Sequence, residues 1–124
     1  MRFLSTRAHG VIDYATGLLL IIAPYVFGFN NGGAAQWTPM VVGIAIIGLS
    51  LMTDYELALV RMIPMPVHLA TDVAAGALLA VSPWLFGFAD RVYLPHLIVG
   101  LLEIGAGLMT QTRPETTNLT ARSV

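Results

Sequence analysis

Two copies of one apolar hairpin, laid end to end, constrain this chain more than anything else in its sequence. Displacing the sequence by 59 positions puts His9-x-x-x-Asp13-x-x-x-Gly17 on His68-x-x-x-Asp72-x-x-x-Gly76, and Pro24-Tyr25-Val26-Phe27-Gly28-Phe29 on Pro83-Trp84-Leu85-Phe86-Gly87-Phe88. Ten of the 21 aligned positions are identical, more than a shared hydrophobic bias produces, so the match is an internal repeat. A displacement of 57 aligns Val42-Gly43 with Val99-Gly100, Ile47-Gly48 with Ile104-Gly105, and Leu51-Met52-Thr53 with Leu108-Met109-Thr110. The difference between the two displacements falls in the loop inside each hairpin.

Each copy holds two apolar stretches, at 9–29 and 39–53 in the first and at 68–88 and 95–110 in the second. At about 1.5 Å per residue, a hydrocarbon core about 30 Å thick needs about 20 helical residues, so the first and third stretches span it outright. The second and fourth reach that length by borrowing flanking residues, such as 54–58 after the second, or by local thinning of the bilayer. Helices are expected because an open strand in lipid leaves backbone groups unsatisfied, and the alternating polarity of a barrel is missing. The overall balance agrees, with 56% hydrophobic and only 10% charged residues. The basic start before the first stretch resembles a secretory leader, but its counterpart lies in mid-chain and no small-residue cleavage site follows it.

The chain thus reads as an all-α membrane protein. Four transmembrane helices come from two tandem, parallel two-helix repeats, related by a pseudo-twofold axis along the membrane normal. One membrane domain is expected over residues 1–112, with repeat one at 8–56 and repeat two at 67–112. A polar, cytoplasmic tail follows at 113–124. The linker carries Asp54, Glu56 and Arg61 before Pro64 and Pro66, and is expected to prolong the second helix along the interface before stopping. Arg2, Arg7, Arg61, Arg113 and Arg122 share the side of the termini, and Arg91 alone lies opposite, which puts both termini in the cytoplasm.

Ala23-Pro24-Tyr25 in copy one and Ser82-Pro83-Trp84 in copy two sit late in the first helix of each unit. Placed there in duplicate, they make the chain resemble the SPW-repeat family of small prokaryotic membrane proteins, over nearly all its length except the tail. The resemblance implies four crossings and a prokaryotic plasma (inner) membrane, and it implies no enzyme activity. Copy one departs from the pattern, with alanine and tyrosine in place of serine and tryptophan.

At about 100° per residue, His9, Asp13, Gly17 and Pro24 share one face of their helix, and His68, Asp72, Gly76 and Pro83 share the same face of theirs. An aspartate at mid-helix costs about 2.5–3.5 kcal/mol against lipid on insertion scales, so these polar stripes are expected to face inward and each other. Two readings follow. The His/Asp pairs glue helices together by hydrogen bonds, or they form a site for a metal ion or a proton. Two such pairs are a weak metal signature, and gluing is the preferred reading. A haem between His9 and His68 fits less well, because the partner aspartates do not favour axial ligation.

Glu103, about 12 Å into the fourth helix, breaks the repeat, since its counterpart is Ile46. It shares a helix face with His96, Gly100, Gly107 and Thr110, and stands either as a neutral acid inside the bundle or as the lining of a wet crevice. Gly17, Gly43, Gly48, Gly76, Gly100, Gly105 and Gly107 are expected to let helices approach closely. Pro24 and Pro83 are expected to kink or restart their helices, Ser82 to cap the restarted turn, and Tyr25, Trp84 and Trp37 to join an aromatic belt.

Function classes narrow accordingly. Without cysteine there is no thiolate metal site and no sulfur nucleophile, and all six basic residues are scattered arginines that form no nucleic-acid surface. No catalytic motif appears and no metal or cofactor is expected. The leading expectation is a non-enzymatic structural or accessory subunit, a homo-oligomer or part of a larger membrane complex in the lipid bilayer. The alternative is a proton or metal-ion conduit or sensor built on the paired stripes and Glu103.

Overall fold

A computed structural model describes residues 2–112, and the tail expected at 113–124 lies outside them. Among the described residues the chain forms four helices and no strands: α1 (Thr6–Val26), α2 (Ala34–Leu51), α3 (Met65–Leu85) and α4 (Leu94–Met109). The first three are long and apolar enough to cross a membrane; α4, with 16 residues, is shorter and equally apolar. The four make one membrane bundle.

Local chemistry sets the ends. Ser5 caps α1, its hydroxyl accepting the Ala8 N–H at 3.1 Å. α2 gains its length at its front rather than from the linker. Gly33 starts it, and Gln36 reaches back to accept the Gly32 N–H at 2.8 Å. Residues after Leu51 do not prolong α2, contrary to expectation. They fold into a loop pinned by Asp54 N–H to Ile63 O (2.7 Å) and Ile63 N–H to Met52 O (2.8 Å), with Tyr55 buried beneath it.

Neither proline restarts its helix. α1 and α3 run on through Pro24 and Pro83 and stop about a turn later in a Schellman arrangement. Phe29 N–H bonds Pro24 O and Phe88 N–H bonds Pro83 O, both at 2.8 Å, across Gly28 and Gly87 with φ of 74° and 76°. Only glycine takes that left-handed turn without strain. The Pro-x-x-Phe-Gly-Phe run is therefore a stop signal whose last phenylalanine folds back inside: Phe29 and Phe88 are both buried in one cluster with Ala23 and Ala35.

Within each hairpin the helices meet at glycines. A Cβ on Gly17 would stand 2.9 Å from Gly43 O, and one on Gly43 would stand 2.6 Å from Gly17 O. Gly76 and Gly100 repeat the crossing at 2.7 and 2.6 Å. Gly107 lies as close to Val73. Gly48 and Gly105 depart from the expectation, since a Cβ there would meet nothing within 4 Å; both face outward. α1 packs on α2 and α3 on α4, and the hairpins join chiefly through α2 and α3.

The pseudo-twofold extends to the loops. Leu4, before α1, pairs with Thr110, after α4; Ile63, before α3, pairs with Thr53, after α2. Each second helix is thus tied at its end to the segment leading into the other repeat's first helix.

Candidate functional site: a closed His/Asp ring

His9 and Asp13 lie one turn apart on α1, and His68 and Asp72 one turn apart on α3, all at 0–1% exposure. The two stripes do face each other. His9 Nε2 lies 2.7 Å from Asp72 Oδ2, and His68 Nε2 lies 2.6 Å from Asp13 Oδ2. Each imidazole is 3.0 Å from the aspartate of its own helix. The hydrogen bonds therefore run between repeats, and the intrahelical contacts close the ring.

The far side of each imidazole is also fixed. His68 Nδ1 meets Thr53 Oγ1 at 2.6 Å and His9 Nδ1 meets Thr110 Oγ1 at 2.7 Å. Each threonine hydroxyl donates its single proton to a carbonyl one turn back, Leu49 O at 2.6 Å and Ala106 O at 2.5 Å. It must then accept from the histidine, so both Nδ1 atoms carry hydrogen. Each Nε2···Oδ2 bond holds one further proton, since a carboxylate oxygen and an imidazole nitrogen cannot meet at 2.6–2.7 Å without one. Summed over two imidazoles, two carboxylates and these protons, the ring is neutral, which is what a site buried in hydrocarbon requires.

Symmetry fails in two places. Ser50 donates to Asp13 Oδ2 at 3.3 Å, whereas the equivalent of Ser50 is Gly107. Glu103 replaces Ile46, is wholly buried, and neither of its carboxyl oxygens has a hydrogen-bond partner among the described residues. Its Cβ packs over Gly76, one turn along α3 from Asp72. Asp13 Oδ1 and Asp72 Oδ1 are likewise buried without partners.

Packed layers cover the ring on both sides, apolar toward the hairpin loops and mixed toward the termini, where the buried Thr6 hydroxyl donates to the Glu56 carboxylate at 2.6 Å. Toward the termini lie Tyr55, Met65 and Leu69, joined by Tyr14 and Leu57. Toward the hairpin loops lie Leu20, Val42, Ile46 and Leu79. Beyond that second layer His96 sits between Phe29 and Phe88, with ring centroids 5.2 and 4.9 Å away. Its Nε2–H donates to Ala35 O at 2.9 Å. That carbonyl is open because Pro39, four residues on, has no N–H to give it.

The same rule explains the serine-proline step. Pro83 leaves Leu79 O without its helical donor, and the Ser82 hydroxyl fills it at 2.7 Å. Ser82 is thus no cap for a new turn but the repair of a broken one. Trp84 projects outward about half exposed, its ring 5.7 Å from Tyr93, and Tyr25 and Trp37 are similarly exposed.

Residues 7–110 match the family model of the SPW repeat domain. The chain belongs to that family. The match takes in both hairpins and the whole ring from His9 to Thr110. Neither the curated proteins nor the solved structures include a match to this SPW repeat protein. Of the positions singled out in the sequence, His9, Asp13, His68 and Asp72 come together in one site, Glu103 packs beside it, and Ser82, Pro83 and Trp84 serve the far end of α3. Thr110 was placed only on the helix face of Glu103, and Thr53 and Ser50 were not singled out, although the duplicated Leu-Met-Thr was in plain view.

Proposed function

We propose that this SPW repeat protein is a non-enzymatic accessory component of a prokaryotic plasma membrane. Its ring locks two hairpins into one rigid body that presents a lipid-compatible surface to further copies or to a larger complex. The ring itself carries the reading: its hydrogen bonds are spent on joining α1 to α3, and packed layers enclose it on both sides. A site that turns substrate over needs an open approach, whereas a resident group taken up once and kept does not. Outward-facing Gly48 and Gly105, amid exposed Ile44, Leu101, Leu102 and Leu108, leave smooth apolar faces on α2 and α4 that suit helix association in lipid. Arginine placement supports termini in the cytoplasm.

Native mass spectrometry after gentle extraction tests this directly. A defined oligomer or a retained partner is expected, and a lone monodisperse monomer under conditions that preserve complexes contradicts it.

Glu103 favours a second reading, that of a proton or metal-ion sensor, since a carboxyl with both oxygens unpartnered in the bundle is costly for mere packing. A through-conduit draws less support, because an apolar cluster that includes Leu20 and Leu79, two turns along α1 and α3 from Asp13 and Asp72, lies between the ring and His96. If Glu103→Gln leaves both the stability of the protein and its response to acid or added metal unchanged, the sensor reading is lost.

A further inference from the structure

We infer that the His/Asp ring is also a binding centre for one divalent transition-metal ion, taken up in exchange for the two protons shared inside the ring. Four potential ligand atoms, one each from His9, Asp13, His68 and Asp72, lie within 4.8 Å of one another. Convergence alone does not make a site, but the surroundings resemble what metal centres use to aim their ligands. Both histidines donate Nδ1–H to threonines whose own protons are committed to carbonyls, so each imidazole can turn only Nε2 inward. Such outer partners fix tautomer and ring orientation in histidine metal sites.

A second observation is independent of the ring's own bonds. The fully buried Glu103, packed over Gly76 beside the ring, offers two carboxyl oxygens without partners. Asp13 Oδ1 and Asp72 Oδ1 add two more buried acceptors on the ring carboxylates themselves. Hydrogen bonding between the helices makes no use of the two Oδ1 oxygens on the ring carboxylates. A cation does.

Charge permits the exchange. Two neutral imidazoles, two carboxylates and one divalent ion sum to zero, as do the same groups with two protons, so uptake adds no net charge to the hydrocarbon interior. Imidazole with carboxylate suits zinc, iron, manganese, nickel or copper, whereas calcium and magnesium call for more oxygen ligands than the ring supplies. The ring edges of 2.6–3.0 Å belong to the protonated form. Ligands about 2.0–2.1 Å from a tetrahedral ion stand about 3.3 Å apart, so loading opens each edge by about 0.5 Å and draws the longest ligand separation in from 4.8 Å.

The test is zinc titration of chelator-stripped full-length protein in mild detergent, with bound metal counted by mass spectrometry and the loaded site examined by X-ray absorption. One saturable zinc per chain is expected, with two imidazoles in its coordination shell. Asp13→Asn with Asp72→Asn is expected to abolish it, and Thr110→Val to weaken it by about 10- to 100-fold. Absence of saturable binding, binding unaltered in the Asp double variant, or a shell with fewer than two imidazoles overturns the inference. The X-ray measurement on the unaltered protein decides the matter even where the double variant fails to fold.

Discussion

Asp13 and Asp72 do the same work in the two halves, yet they are not equally supported. Asp13 receives Ser50 as well as the imidazoles, whereas Asp72 has glycine where that hydroxyl would be. Asp72→Ala strips His9 of its cross-repeat partner inside the bundle and is expected to destabilise the protein by about 3–5 kcal/mol, read from reversible unfolding in detergent. Ser82→Ala is far milder, about 1 kcal/mol, because it costs one hydrogen bond to a single carbonyl. Copy one already lives with alanine at that place.

Single residues were also where the sequence was most and least legible. His9, Asp13, His68 and Asp72 were readable because helical spacing and the cost of charge in lipid together force them inward. Which carboxylate each imidazole would choose was not readable: a four-residue spacing favours the same helix, and only the approach of α1 to α3 makes the cross-repeat bonds shorter. Thr53 and Thr110 look like ordinary helix ends until the bridges to Ile63 and Leu4 are seen to place them behind the histidines.

Among the elements, the glycines divide by position rather than by motif. Gly17 and Gly76 stand where the helices of each hairpin touch backbone to backbone. Replacing either with alanine drives a methyl to within 3 Å of a carbonyl oxygen and is expected to cost about 1–3 kcal/mol. Gly48→Ala and Gly105→Ala meet open space, so they are expected to be neutral or slightly stabilising for the isolated chain. A shift of oligomeric state in these two variants, seen by native mass spectrometry, would mark the outward faces as contacts between copies.

Helix number and approximate extent followed from hydrophobic length, but the ends obey backbone hydrogen bonding that hydropathy does not register. Pro24 and Pro83 looked like breaks. With only about a turn of helix left beyond them, and Gly28 and Gly87 ready to take the left-handed turn, the helices finish rather than kink. The linker looked like more of α2 because that stretch was short for a span and Asp54, Glu56 and Arg61 precede the prolines; instead Tyr55, Leu57 and Ala58 pack together against Met65 and Leu69.

For the molecule as a whole, the duplicated sequence becomes a duplicated fold that closes on its own axis. The ring joins the two halves beside the α2–α3 contact, and it contributes something that lipid-facing packing does not: lipid tails are as apolar as leucine, so apolar contact alone gives two greasy hairpins little reason to choose each other. Such a role requires the ring to couple the halves energetically. Double-mutant cycles on unfolding in detergent compare Asp13 with His68, across the repeats, and Asp13 with His9, along one helix. The cross-repeat pair is expected to show a coupling within the range of about 0.5–3 kcal/mol found for contacting residues, and to exceed the intrahelical pair. No coupling between Asp13 and His68, or a stronger one between Asp13 and His9, would contradict it.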